Sequence, residues 1–114
     1  MDSIEKKGVA ATYELKPELH SLLRERISKI LSQWTGLQMA VQNEWGGRDS
    51  HHKSQQLVLD ILFWFSHSKA PHHVEDLESF LHETLLLSFN TEIEDGSIEE
   101  VAEQLMIMHE ELLR

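Results

Sequence analysis

The apolar residues of this chain recur at steps of three and four, and this spacing constrains the fold more than any other feature. The first run comprises Leu19, Leu22, Leu23, Ile27, Ile30, Leu31, Trp34, Leu37 and Val41. Steps of this size place side chains on one face of an α-helix. Only five glycines and two prolines are present to break helices. The spacing therefore predicts an all-α fold, a compact single domain of four to five helices.

Candidate start and stop residues divide this pattern into segments. Pro17 suits a first helical turn, but an unbroken helix over 17–45 would be about 43 Å long. We therefore expect a break or kink near 32–36. Further helices are predicted over 50–68, about 74–88, and 98–113, the last starting from a capping box of Ser97 and Glu100 after a turn at Asp95-Gly96. Residues 1–15 lack clear periodicity and are predicted to form a mobile segment ahead of a helical domain over 16–114.

The joint Trp45-Gly46-Gly47-Arg48-Asp49-Ser50 separates the first apolar run from the next. We expect Gly46 or Gly47 to adopt positive φ as a left-handed cap that ends the preceding helix. Asp49 or Ser50 can then cap the following helix. We predict that Trp45 is mostly buried beside the joint, which gives the joint a structural role.

Several chemical classes are disfavoured by composition. No cysteine is present, so disulfides, zinc–thiolate sites and thiol catalysis are excluded. The adjacent pairs His51-His52 and His72-His73 diverge by about 100° on a helix and do not chelate one ion easily. We therefore expect no metal site, no cofactor site and no catalytic residues. No run of about 18 apolar residues is present that would span a membrane.

Charge is distributed unevenly along the chain. Residues 1–69 hold 8 acids and 9 bases, whereas residues 70–114 hold 12 acids and one base, a net of −11. Such a field repels nucleic acid and anionic membranes and attracts basic partners. The alternative interpretation is that the acids only keep a helical domain soluble.

Two apolar side chains fall on otherwise polar helix faces. Ile107 lies on one face with Glu100, Glu103 and Glu110, and Trp64 lies on the polar face of its own helix. The acidic face is either a solvated surface or a binding surface in which a partner shields the central Ile107 from water. Trp64 is either tucked under a neighbouring loop or exposed as a contact for a partner, because aromatic residues anchor many interfaces.

Five short motifs occur together in one order along the chain. They are Trp34-Thr35-Gly36-Leu37-Gln38-Met39-Ala40-Val41, Trp45-Gly46-Gly47 with Asp49-Ser50, Asp76-Leu77-Glu78, Phe89-Asn90-Thr91 and Glu94-Asp95-Gly96-Ser97. With this set, residues 17–112 resemble the WGG-domain family of pre-ribosomal-RNA-processing proteins, the escortins. Thr35-Gly36 stands where that family more usually has Thr-Ala. The motif residues Trp34, Trp45, Gly46, Gly47, Gly96 and Ser97 are expected to be structural.

The resemblance implies a non-enzymatic escort chaperone of the nucleus and cytoplasm, a monomer that binds neither nucleic acid nor membranes directly. Its implied client is a basic zinc-ribbon protein of the small ribosomal subunit. Such a protein takes the client from its importin and delivers it to the pre-40S ribosome, supporting maturation of the small-subunit RNA. Combined with the charge, the resemblance predicts client contacts at Glu75, Asp76, Glu78, Glu92, Glu94, Asp95, Glu99, Glu100, Glu103 and Glu110, with Trp64 and Ile107 as apolar contacts.

A second class of function is an acidic helical scaffold or self-association module without a basic client. It predicts dimers and binding that is insensitive to salt, whereas the escort predicts binding that weakens as salt rises.

Overall fold

Five helices build the domain in the computed structural model, which describes residues 17–67 and 72–113. They are α1 (Pro17–Ser32), α2 (Thr35–Gln42), α3 (Ser50–His67), α4 (Val74–Phe89) and α5 (Ser97–Leu112). No strand occurs in these two ranges. The prediction of an all-α single domain is therefore confirmed, whereas the predicted mobile segment over 1–15 lies outside the described residues.

The predicted break in the first apolar run lies between α1 and α2. Helix α1 ends at Ser32 and α2 begins at Thr35, so Gly36 sits in a first helical turn. Between them, the Trp34 side chain is buried, and its indole N–H donates to the Ser97 hydroxyl at 2.9 Å. This contact ties the α1–α2 break to the start of α5, 63 residues later.

The predicted capping box at the start of α5 is wrong. Ser97 is the first helical residue, and Gly96 occupies the N-cap with φ of 85°. The Ser97 hydroxyl bonds to Trp34 instead of capping, and the Ser97 backbone N–H donates to the Asp95 carboxylate at 3.0 Å. Hydrogen bonds to this carboxylate from the Ser97 hydroxyl, and to a smaller extent from the Ser97 backbone N–H, hold the pKa of Asp95 below its usual value of 3.8.

One continuous core joins the five helices. Helix α1 packs against α3 and α5, α2 packs against α1, α3 and α4, and α4 packs against both α3 and α5. Each helix contributes the apolar stripe that its spacing predicted, and on α3 this stripe is Leu57, Val58, Ile61, Leu62 and Phe65. On α5, Met108 is buried and Leu112 is partly buried against the core.

Helix α2 ends earlier than predicted, at Gln42. The left-handed position after it is taken by Glu44, with φ of 55°, and neither glycine supplies this cap. The N–H of Glu44 donates to the Val41 carbonyl at 3.1 Å, and the N–H of Trp45 donates to the Ala40 carbonyl at 2.9 Å. This pair of bonds is a Schellman motif, which satisfies carbonyls that the helix leaves unpaired.

The two glycines of the joint have different tasks. Gly47 adopts the predicted positive φ, 101°, in the turn that leads to α3. A side chain on Gly46 would collide with the carbonyl oxygen of Ser88, at the end of α4, and would crowd Phe89. Gly46 therefore permits the close approach of two backbone segments.

Polar contacts stabilise the close approach of the Gly46 and Ser88 backbone segments. The Lys53 ammonium donates to the Gly46 carbonyl at 2.6 Å and to the Ser88 carbonyl at 3.1 Å. The fully buried Ser50 hydroxyl accepts the Gly46 N–H at 3.0 Å and donates to the Gly47 carbonyl at 2.7 Å. Lys53 thus places a positive charge at the negative end of the α4 dipole, where cations are stabilising.

The predicted burial of Trp45 is wrong, because 43% of this residue is exposed. Helix α2 has already ended three residues earlier, so the helical spacing no longer determines which way Trp45 points. Trp34, which is 3% exposed, is the tryptophan that packs in the core.

Aromatic rings join α3 to the end of α5. The His109 ring stacks on Phe65 with centroids 4.1 Å apart, and His72 lies 5.5 Å from His109. Burial, and to a smaller extent repulsion from His72, lowers the pKa of His109 from 6.5 to about 4. The fold therefore favours the neutral His109 imidazole.

We predict that Gly46→Ala lowers the free energy of unfolding by about 1–3 kcal/mol, because the new methyl group meets the Ser88 backbone, which cannot rotate away. Thermal unfolding followed by circular dichroism measures the change. Gly36→Ala is the matched control, because its methyl group meets the movable end of the Ile93 side chain. Equal stability of the two variants would contradict this role of Gly46.

We predict that His109 makes the domain less stable in acid. The unfolded state binds a proton near pH 6.5 and the folded state only near pH 4, so stability falls as pH decreases through this window. His109→Phe keeps a ring against Phe65 and removes the titration, so its melting temperature should fall less between neutral pH and pH 4. His20→Phe, at an exposed position of α1, should retain the wild-type pH dependence. Parallel pH profiles for His109→Phe and the wild type would count against this role.

Candidate functional site

A groove runs between the last two helices of the domain. Residues from the start of α4 and from most of α5 line it, and we call it the Ile107 groove. Its lining comprises His72, Val74, Glu78, Glu99, Glu100, Glu103, Met106, Ile107, His109, Glu110 and Leu113. Five carboxylates therefore surround an apolar floor in which Ile107 is 49% exposed.

A second groove lies beside it, toward the end of α4, and we call it the Leu86 groove. Its lining comprises Glu78, Ser79, His82, Glu83, Leu86, Ile93, Glu94, Ile98 and Glu99. Glu78 and Glu99 line both grooves. Val74 meets Leu113 in the first groove and Leu86 meets Ile98 in the second, so α4 and α5 run antiparallel.

Among the described residues, no lysine or arginine lines either groove. Residues 72–113 contain no lysine or arginine, and the Lys53–Asp49 pair within the described ranges lies away from the grooves. The carboxylates are exposed or half-buried, so they create a negative potential without the large cost of deep burial. Such a potential attracts cationic partners and accelerates their association.

The structure brings together some of the predicted contact residues and separates others. Those that line the Ile107 groove are Glu78, Glu99, Glu100, Glu103, Glu110 and Ile107. Glu94 lines the Leu86 groove. Those that line neither groove are Glu75, Asp76, Glu92, Asp95 and Trp64. Of the four acids in this last set, Asp95 is engaged with the start of α5.

Trp64 is half-buried at the edge of the domain. Its ring lies 5.1 Å from the His72 ring and 5.1 Å from Phe65. His72 itself lines the Ile107 groove. His72 therefore partly covers Trp64, which lines neither groove.

Sequence reasoning missed most of the apolar floor. Val74, Met106 and Leu113 line the Ile107 groove, and Leu86 lines the other. The runs Leu85-Leu86-Leu87 and Leu105-Met106-Ile107-Met108 carried a signal, because three or more successive apolar residues span about 200° or more of a helix and cannot all face one core. That signal does not say which residue of each run lines a groove.

The described part of the chain offers neither a metal site nor a membrane-spanning helix. No group of three or more His, Asp or Glu side chains there is arranged to hold a metal ion. None of its helices combines the length and the hydrophobicity that crossing a membrane requires.

Comparison with known proteins places this chain among relatives. A family profile described as WGG, Pre-rRNA-processing protein TSR2, matches residues 23–103. The human protein named "Pre-rRNA-processing protein TSR2 homolog" is 34% identical over 91 residues, which are 80% of this chain and 47% of the human protein. The Xenopus laevis protein of that name is 36% identical over 87 residues, 76% of this chain and 46% of its own.

The chain therefore spans about half the length of the curated relatives that it matches. No solved structure matches it. Because the family profile covers both grooves up to Glu103 and the whole Trp45-Gly46-Gly47 joint, we conclude that this chain belongs to the WGG family of pre-rRNA-processing proteins.

Proposed function

We propose that this chain forms the client-holding domain of a non-enzymatic escort chaperone in ribosome biogenesis. It binds a basic zinc-ribbon protein of the small ribosomal subunit, takes it from its importin, and delivers it to the pre-40S ribosome in support of small-subunit rRNA maturation. These steps place the protein in both the nucleus and the cytoplasm. The names of the human and mouse relatives, which describe them as pre-rRNA-processing proteins, support a role in pre-rRNA processing.

The observation that carries this proposal is the Ile107 groove. Five carboxylates from α4 and α5 surround an apolar floor, and no lysine or arginine occurs in residues 72–113. A basic client places lysine and arginine against the rim and an apolar side chain on the floor. Each exposed ion pair contributes only about 0–1 kcal/mol, so several must act together.

The same surface explains how a client could leave an importin. The acidic potential of the escort attracts cationic segments of the client and accelerates the encounter. The escort does not need a very high affinity for its client, because the client has to be released again at the pre-ribosome. The proposal requires binding and release, without covalent chemistry.

We predict that reversing Glu100, Glu103 and Glu110 to lysine weakens binding of a purified basic zinc-ribbon ribosomal protein by on the order of a hundredfold. At three positions on the rim of one groove, the attraction between a carboxylate and the basic client becomes repulsion between two positive charges. Isothermal titration calorimetry measures the affinity, and circular dichroism checks that the helices persist.

The matched control reverses Glu18, Glu25 and Glu111, which are exposed, line neither groove and are not among the predicted client contacts. It changes the net charge by the same amount, so it should bind nearly as the wild type does. If both triple variants lose affinity equally, overall charge and not the groove holds the client.

We also predict that client binding weakens steeply with salt while the free chain remains a monomer. Exposed charge pairs are screened within about 10 Å at 0.1 M salt. Sedimentation at low and high salt, with and without the ribosomal protein, measures both properties. A salt-insensitive dimer of the chain alone would favour the scaffold or self-association module.

A further inference from the structure

The two grooves form one acidic trough with two separate apolar floors. The shared residues Glu78 and Glu99 stand where the grooves meet. On one side Ile107 is 49% exposed, and on the other Leu86 is 44% exposed. Carboxylates therefore alternate with apolar floor along the length of α4 and α5.

This alternation specifies the chemistry of an occupant. A partner that carried only charge would leave Ile107 and Leu86 in water, and a purely apolar partner would desolvate the carboxylates of the rim without pairing them. Lysine or arginine between two apolar side chains satisfies both parts of the surface. The carboxylates of the rim, with no lysine or arginine among the described lining residues, supply the charge complementarity.

The length of the trough sets the spacing of the two apolar side chains. Val74 and Leu86 lie on different floors and are twelve residues apart on α4, a distance of roughly 18 Å along the helix. A segment rich in like charges repels itself and extends. At about 3.3 Å per residue, anchors five to six residues apart span this distance, and a spacing of six places both on the same side of the strand.

We propose that the trough binds one extended basic segment of its partner through two apolar anchors about six residues apart, one on the Ile107 floor and one on the Leu86 floor. The inference rests on the proposed function only in taking the partner to be basic. It adds a recognition pattern: an apolar residue, a basic stretch, and a second apolar residue.

Synthetic lysine–serine peptides of about twenty residues test this pattern directly. One peptide carries two leucines six residues apart, a second carries them two apart, a third carries one, and a fourth carries none. Fluorescence anisotropy measures the affinity of each for the full chain. The six-apart peptide should bind about tenfold more tightly than the one-leucine peptide, because a second side chain is buried.

Variants of the chain assign each anchor to its floor. Leu86→Asn and Ile107→Asn should each reduce the affinity of the six-apart peptide to about that of the one-leucine peptide. Leu87→Asn is the matched control, because Leu87 is 74% exposed on α4 yet lines neither groove. It should leave binding unchanged, and thermal unfolding checks that all three variants fold.

Equal binding of the six-apart and leucine-free peptides would overturn the two-anchor inference. An equal loss with Leu86→Asn and Leu87→Asn would overturn it as well. Both outcomes leave the proposed function standing if a zinc-ribbon ribosomal protein still binds the intact chain. Conversely, a six-apart preference without ribosomal-protein binding would support the trough and refute the proposed client.

Discussion

The rest of this structure depends on the close backbone contact between the α2–α3 joint and the end of α4. Gly46 allows the approach because it has no side chain to collide with the Ser88 carbonyl. Lys53 then bridges the carbonyls of both segments. Since α4 forms one wall of both grooves, this contact sets the position of the surface that we assign to the client. The joint lines neither groove, but it affects the shape of both because it positions helix α4.

The opposite wall, α5, is fixed at both ends by aromatic side chains. At its start, the buried Trp34 indole bonds to the Ser97 hydroxyl, and at its end, His109 stacks on Phe65. These contacts connect α5 to the α1–α2 break and to α3. A groove whose two walls are both anchored to the core is pre-organised, which lowers the ordering cost of binding.

The acidic surface has an energetic consequence for the free protein. Twelve acids and one base lie in residues 70–114, so the carboxylates of α4 and α5 repel one another. A basic partner relieves that repulsion, and binding then stabilises the fold by linkage. Surface charge that slightly destabilises the free domain thus favours the bound state.

The sequence by itself determined the helices, most of their inner faces and the excess of acids on which the proposal of a basic partner depends. Spacing at three and four residues predicted the core of α3, and the excess of acids predicted an attraction for cations. Only the tertiary structure decided that Trp45 is exposed, and that Glu78 and Glu99 line the same two grooves while Glu92 lines neither. The reason is physical: spacing along a helix determines which side chains share a face, whereas contacts between faces depend on where helices end and how they pack, as at Gln42 and Gly46.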